Sequence, residues 1–417
     1  MLSPTSYPPE TARHATAAEL LRLKQQYLVP CVYHFYTDPP HIVSGEGCHL
    51  IDSTGRPYLD CYSGVTVMSA GHCNAEIIEP AIEQIRTLQH TTSIYLTEPV
   101  LRLAEALAGI APQPLRRSFF CASGSEAVEG ALLLAALHTG RREIVALSGG
   151  LHGRTKAAMS ATALPMWRTD PFPLEGVHHV PFGDLAELER LLSERGDRVA
   201  AVIGEPVQGN GGILVPPGKY WPGVRRLTRE HRVLLVLDEI QTAFNRTGRW
   251  FACEHWDVTP DVVAVSKAMG NGFPIAAFMT TDDIASSYTR PGASTYGGNP
   301  VCATAALATI DFHRRHRLGD RAAVAGGRIL SILGSLAHGH GCLRAPRGLG
   351  LMIGVDVVEE GGAPDASRCD QILERLKDHG VLAGKTGPGR NTLTFLPPLI
   401  ISDDEIGDLH HALASSI

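Results

Sequence analysis

No run in this 417-residue chain approaches the roughly 18 apolar residues that a spanning helix needs, so no membrane span is expected. None of the nine cysteines forms a C-x-x-C pair. An odd, scattered set argues against a disulfide framework and for free thiols in a reducing compartment. No basic stripe is present either. The net charge is −6, which argues against a nucleic-acid or anionic-membrane partner. Histidines in "HTTSIY", "VHHV" and "LHHAL" lack metal-ligand spacing and neighbouring acids, so no metal is expected. "GGLHG" is not a dinucleotide-binding fingerprint. The start, "MLSPTSYPPETARHATAAELL", has no apolar core behind a basic segment, so no signal peptide is expected. The expectation is a soluble, cytoplasmic protein.

What is present is ordinary globular composition, 44% hydrophobic and 19% charged. Residues 41–64 read as short strands with turns at Gly45–Gly47 and Ser53–Gly55. From about residue 75, helical spacing alternates with short Val- and Ile-rich runs: "RSFFCAS", "EIVALSG", "VAAVIGEPV", "VLLVLDEI" and "DVVAVSK". Such alternation predicts an α/β fold with a mostly parallel sheet covered on both faces. Beyond residue 310, charged helices and two more apolar runs predict a smaller α+β domain.

Ligands of parallel sheets bind past the carboxyl ends of the strands. Glu205, Asp238 and Lys267 all fall at such ends. A lysine in a desolvated pocket has a lowered pKa and can form an imine with an aldehyde. An aspartate nearby could hold a protonated pyridine nitrogen. Those are the needs of pyridoxal phosphate. Gly124 and Ser125 open a helix in "CASGSEAVEGALLLAAL", where free N–H groups and the dipole favour a phosphate. Ser123 or Ser125 could equally be only an N-cap.

The stretches "FFCASGSEAVEGALLLA", "LHGRT", "GEPVQGNGGILVPPGKYW", "LVLDEIQTAFNRTGRWFACEHWDVTPDVVAVSKAMGNGFPIAA" and "STYGGNPVCATAAL" stand in the order found in the class III aminotransferases, which the chain resembles over roughly residues 30–400. The resemblance implies fold type I. It implies an N-terminal segment (1–65) joining the small domain, a large cofactor domain (66–310) and a C-terminal small domain (311–417). It also implies a homodimer with shared active sites. Lys267 would carry the cofactor as an imine and then move the proton. Asp238 would pair with the ring nitrogen, and Gln241, one helical turn on, would reach the ring hydroxyl. Ser123, Gly124 and Ser125 would hold the phosphate, joined by Thr295 of the other subunit. Glu205 and His152 would orient groups beside the ring.

Three departures bear on substrate. Leu151 stands where the family has an aromatic residue stacked on the cofactor; leucine gives dispersion but no stacking. Asn210 and Thr394 replace both partners of the family's glutamate–arginine switch, and losing both leaves no unpaired charge. Arg390, four residues before Thr394, could substitute, although an arginine in a Gly-Pro-Gly-Arg turn more often faces solvent. Arg154 matches a substrate-carboxylate anchor, which favours an ω- or β-amino acid donor and a keto-acid acceptor such as pyruvate, glyoxylate or 2-oxoglutarate. Tyr33, Phe35 and Tyr36 are candidate pocket walls. The rival reading is a lyase that keeps the cofactor and eliminates phosphate from a phosphorylated amino alcohol.

Overall fold

The computed structural model describes residues 15–417. Strands β1 (Ile42–Glu46), β2 (His49–Asp52) and β3 (Pro57–Asp60) form an antiparallel meander. The next seven are β4 (Arg117–Cys121), β5 (Glu143–Leu147), β6 (Val177–Val180), β7 (Val199–Gly204), β8 (Leu234–Asp238), β9 (Val262–Val265) and β10 (Ala276–Thr280). The chain then adds β11 (Leu343–Leu349), β12 (Met352–Val357), β13 (Val381–Leu382), β14 (Gly384–Thr386) and β15 (Thr392–Phe395).

The seven middle strands make one sheet in the order β4-β10-β9-β8-β7-β5-β6. Only β10 runs against its neighbours. Every residue of β7, β9 and β10 is buried. That is why their sequences are nearly unbroken apolar runs. Alternate residues serve opposite faces. Leu235, Leu237, Val263 and Val265 enter one core, while Val236, Val262 and Ala264 enter the other. The helix Gly124–Thr139 covers the second face with Ala127, Ala131, Leu134 and Ala135. Gly130 lets it approach β10, since a Cβ there would overlap the Phe278 ring.

The strand β13 pairs in parallel with β3, so a late segment extends the N-terminal sheet. One apolar core holds Cys48, Leu59 and Cys61 together with Leu343, Phe395 and Leu413. Early and late described segments therefore share one sheet and one core. The helix Pro300–Arg315 contributes to two cores, with Ala303 and Ala306 in one and Val301 and Phe312 in the other. No described helix is long and apolar enough to cross a membrane.

Two local expectations are corrected. No helix follows Asp238; a single α-turn does, with the Ala243 N–H donating to the Glu239 carbonyl at 3.0 Å. Residues 240–247 are a run of turns, with Phe244 and Asn245 at positive φ, so Gln241 is placed by a turn. "VHHV" is the edge strand β6, where His178 bonds Glu143.

Candidate active site

Strands β4, β5, β7, β8 and β9 open toward the same end of the sheet. The segments that follow them line one cavity of about 220 Å³. Its walls include Gly124, Leu151, Glu205, Asp238 and Lys267. Ser125, His152, Asn210, Gln241 and Ser266 also face it.

Lys267 sits two residues past β9 with φ of +30°, uncommon outside glycine. The turn behind it is fixed from outside. Asn271, buried, accepts from the Ala70 N–H at 2.9 Å and donates to the Gly71 carbonyl at 3.0 Å. The Ser266 hydroxyl donates to the Ile275 carbonyl at 3.0 Å. Among the described residues no hydrogen bond holds the Lys267 amine. Desolvation lowers its pKa from 10.5 to about 8, only partly offset by the Glu205 and Asp238 carboxylates.

Asp238 is 3% exposed and accepts from the Ile240 N–H at 3.1 Å. Its other oxygen lies 2.8 Å from His152 Nδ1. A carboxylate only accepts at neutral pH, so Nδ1 carries the proton. Burial of the ring opposes its charge, but the Asp238 hydrogen bond and charge outweigh it and hold His152 above its ordinary pKa. His152 Nε2 is buried with no partner, and so is Gln241 Oε1.

Glu205 ties two glycine-rich loops together. It accepts from the Leu151 N–H and the Gly209 N–H, each at 2.9 Å. Burial, then the charge of Asp238, pushes its carboxyl up to about 7. A Cβ at Gly209 would meet Gln241 Oε1, so a larger residue there would displace that amide.

At the far corner the helix Gly124–Thr139 begins. Ser123 is its N-cap: its hydroxyl accepts from the Glu126 N–H at 3.3 Å. Ser123 is exposed and does not line the cavity, whereas Gly124 and Ser125 do.

The sequence model for class III aminotransferases matches residues 36–417. The chain belongs to this family. An acetylornithine aminotransferase of Methanothermobacter thermautotrophicus is 39% identical over 393 residues, 93% of this chain and 95% of that protein. An alanine–glyoxylate aminotransferase 2 homologue of Arabidopsis thaliana is 35% identical, covering 100% of this chain and 91% of that one. The solved amine transaminase of an uncultivated Pseudomonas species, with pyridoxal phosphate bound, superposes with a TM-score of 0.87 at 28% identity. That match covers 94% of this chain and 98% of the other.

This aminotransferase is therefore a fold type I, pyridoxal-phosphate-dependent enzyme that passes an amino group from an amine donor to a keto acid. Its cavity fits the cofactor. A free, desolvated amine, a buried carboxylate and the open N–H groups of a helix start surround it. Two orphaned buried polar atoms, on His152 and Gln241, add to that set.

Other candidate residues fall outside the cavity. Thr295 is exposed. Thr394 is fully buried, its hydroxyl engaged by Thr386 at 2.8 Å and by the Thr392 carbonyl at 3.1 Å. Arg154 is exposed, with its N–H on Ser125 Oγ at 3.0 Å and its side chain unpaired among the described residues. Tyr36 is half-buried and donates to the Ala383 carbonyl at 3.0 Å. Tyr33 and Phe35 pack edge-on, with centroids 5.8 Å apart. Arg390 is half-buried and stacked on both rings, not turned to solvent. Cation–π contact acts between residues far apart in sequence and leaves no short-range signal. The Asp238–His152 pair was equally illegible, since 86 residues separate its members.

The lowered lysine pKa is measurable in cofactor-free protein. At pH 8 about half of Lys267 should be the neutral amine, while an ordinary lysine is almost wholly protonated. Acylation of Lys267, mapped by peptide mass, should therefore inflect near pH 8. An inflection near 10.5 would contradict the desolvated setting. The sign for stability follows. The unfolded chain holds this proton to higher pH, so stability should rise between about pH 8 and 10.5.

Proposed function

We propose that the enzyme takes the amino group of an ω- or β-amino acid and passes it to a small keto acid: pyruvate, glyoxylate or 2-oxoglutarate. The observation that carries the reading is Arg154, which follows the cavity residue Gly153 and has no acid on its side chain among the described residues. A planar guanidinium there suits a carboxylate set apart from the reacting amine. Asn210 and Thr394 support it, since no glutamate–arginine switch selects an α-carboxylate. Glyoxylate is in the name of the Arabidopsis relative.

Bound pyridoxal phosphate supplies an electron sink. The remaining work falls to this chain. Lys267 would hold the cofactor and then carry the proton between donor and acceptor positions, which suits an amine titrating near 8. Asp238, oriented by its hydrogen bond with His152, would hold the proton on the ring nitrogen. Gly124 and Ser125 would bind the phosphate, and Gln241 would meet the ring hydroxyl. Glu205 would keep the 149–153 and 209–212 loops in place beside the ring. Leu151 would cover one ring face by dispersion.

The test is a donor-only half-reaction followed by absorbance. Single amines are mixed with holoenzyme without keto acid. Stable conversion to the aminated cofactor with ω- or β-amino acids is the expected result. Release of ammonia or phosphate with the starting band restored would overturn it in favour of the lyase.

The same reading includes a homodimer whose partner supplies Thr295 to the phosphate. Support comes from one exposed apolar surface. Ile94 and Leu96 are 84% and 87% exposed, and the Tyr296 ring lies 5.4 Å from that of His90, tilted against it. Asn299 donates to the Gln89 carbonyl, joining the two segments. Sedimentation equilibrium should give twice the chain mass, and a monomer retaining full activity would refute shared sites. All nine cysteines are free thiols, which supports a cytoplasmic location.

A further inference from the structure

We propose that a cleft at the N-terminal end of the seven-stranded sheet binds a small polyanion, a phosphate compound or a polycarboxylate, through Arg141, Arg229 and Arg232. The site is separate from the Lys267 cavity and does not depend on which amine is the donor.

The first observation is position. A cavity of about 370 Å³ is lined by Leu234, which begins β8, and by Asp261, just before β9. Asp238 ends β8 on the Lys267 side, so roughly 13 Å of strand separates the two sites, at ~3.3 Å per residue. None of the lining residues belongs to the 89–96 or 296–299 segments of the proposed dimer surface. A volume of this size suits a small molecule.

The second is an excess of cations. Four arginines line the cavity against one carboxylate. That carboxylate, Asp261, is already engaged. Arg225 grips it with two bonds of 2.7 and 3.2 Å, and the Leu235 N–H adds a third at 2.7 Å. Arg141, Arg229 and Arg232 have no ion pair among the described residues. Glu230, next to Arg229 in sequence, is held by Arg226 at 2.8 Å. The helices Gly124–Thr139 and Tyr220–Glu230 end here, and each end offers about half a negative charge. Those dipoles offset about one of the three guanidinium charges. In a chain of net charge −6 the remainder is a local reversal of sign, and a concave wall concentrates its field.

The third is anchorage. Arg141 Nη1 lies 2.8–3.4 Å from the carbonyls of Gly196, Val199, His231 and Arg232. This ring holds the half-buried guanidinium by one corner. Its Nε and Nη2 have no hydrogen-bond partner among the described residues. Arg225 Nε is buried and likewise unpartnered. Arg229 and Arg232 are joined by the turn leading into β8, where the Arg232 N–H donates to the Arg229 carbonyl at 3.1 Å. Solvation accounts for these two exposed arginines singly, but not for their meeting a fixed third one around a cleft. Guanidinium forks bind carboxylate and phosphate oxygens through paired N–H bonds, so an oxyanion of two or more charges fits the set.

The test is titration calorimetry on holoenzyme at low salt, with bound pyridoxal phosphate already filling the cofactor site. The probes are pyrophosphate and citrate, with sodium chloride at matched ionic strength as control. At least one probe should show one saturable site per chain with a Kd below about 1 mM, and chloride should show none. The double variant Arg229→Gln, Arg232→Gln should weaken that binding about tenfold or more, while the donor half-reaction stays within about twofold. The double variant Arg190→Gln, Arg328→Gln removes equal charge at salt-bridged surface positions. It should change the Kd less than about twofold, since distant exposed charges are screened. Preference for pyrophosphate identifies the class as phosphate, and preference for citrate as polycarboxylate. No saturable binding of either probe up to about 10 mM would overturn the proposal. So would equal saturation by chloride, or equal weakening by the two double variants.

Discussion

Replacing Lys267 with alanine is expected to lower turnover by at least about a thousandfold, the scale of a lost general acid–base and covalent group. The cavity holds no second amine to substitute. Its remaining lining is Gly, Ser, Leu, His, Glu, Asn, Asp, Ile and Gln. The fold should survive. Asn271 and Ser266 hold the turn through bonds that do not involve the amine. Two readouts check this: turnover, and the absorbance of the lysine-linked cofactor, which should vanish. Activity near wild type, with the substitution verified by mass, would end the assignment.

The second large effect is expected from Asp238→Asn. This change keeps the shape and removes the charge. Turnover should fall by about a hundredfold or more, the scale of losing a preorganised charge in a water-poor site. Neighbouring titrations distinguish this from simple damage. Burial, the largest influence, lowers His152; the Asp238 hydrogen bond and charge raise it, with a smaller contribution from Glu205 that remains in the variant. In the variant His152 should titrate below its ordinary value. Lys267 loses one of two supporting carboxylates, so its acylation profile should move below pH 8. Full turnover with both titrations unmoved would make Asp238 a packing residue.

Asp238 and Lys267 were legible because each ends an apolar run. A fully buried strand cannot end on a charged residue unless that residue meets a cavity or a partner. The same logic found Glu205, and the helix start at Gly124 and Ser125 was marked by its serines and glycine. The reversed strand β10 was not legible. "AAFMT" is as apolar as its parallel neighbours, and direction leaves no trace in composition. Ser123 shows the limit of motif reading. It matches a phosphate position, yet its hydroxyl caps the helix and does not face the cavity.

By itself the sequence determined the layered α/β architecture, the position of Glu205, Asp238 and Lys267 at or just past strand ends, and, through its family resemblance, the cofactor. Local periodicity and burial are properties of neighbouring residues, so a linear string can record them. Only the tertiary structure decided that His152 pairs with Asp238, that Glu205 clasps two loops, and that Arg390 lies on Tyr33 and Phe35 rather than in solvent. All but the Glu205–Gly209 bond join segments tens to hundreds of residues apart. Their existence depends on which faces the packed elements bring together, and no short-range pattern encodes it.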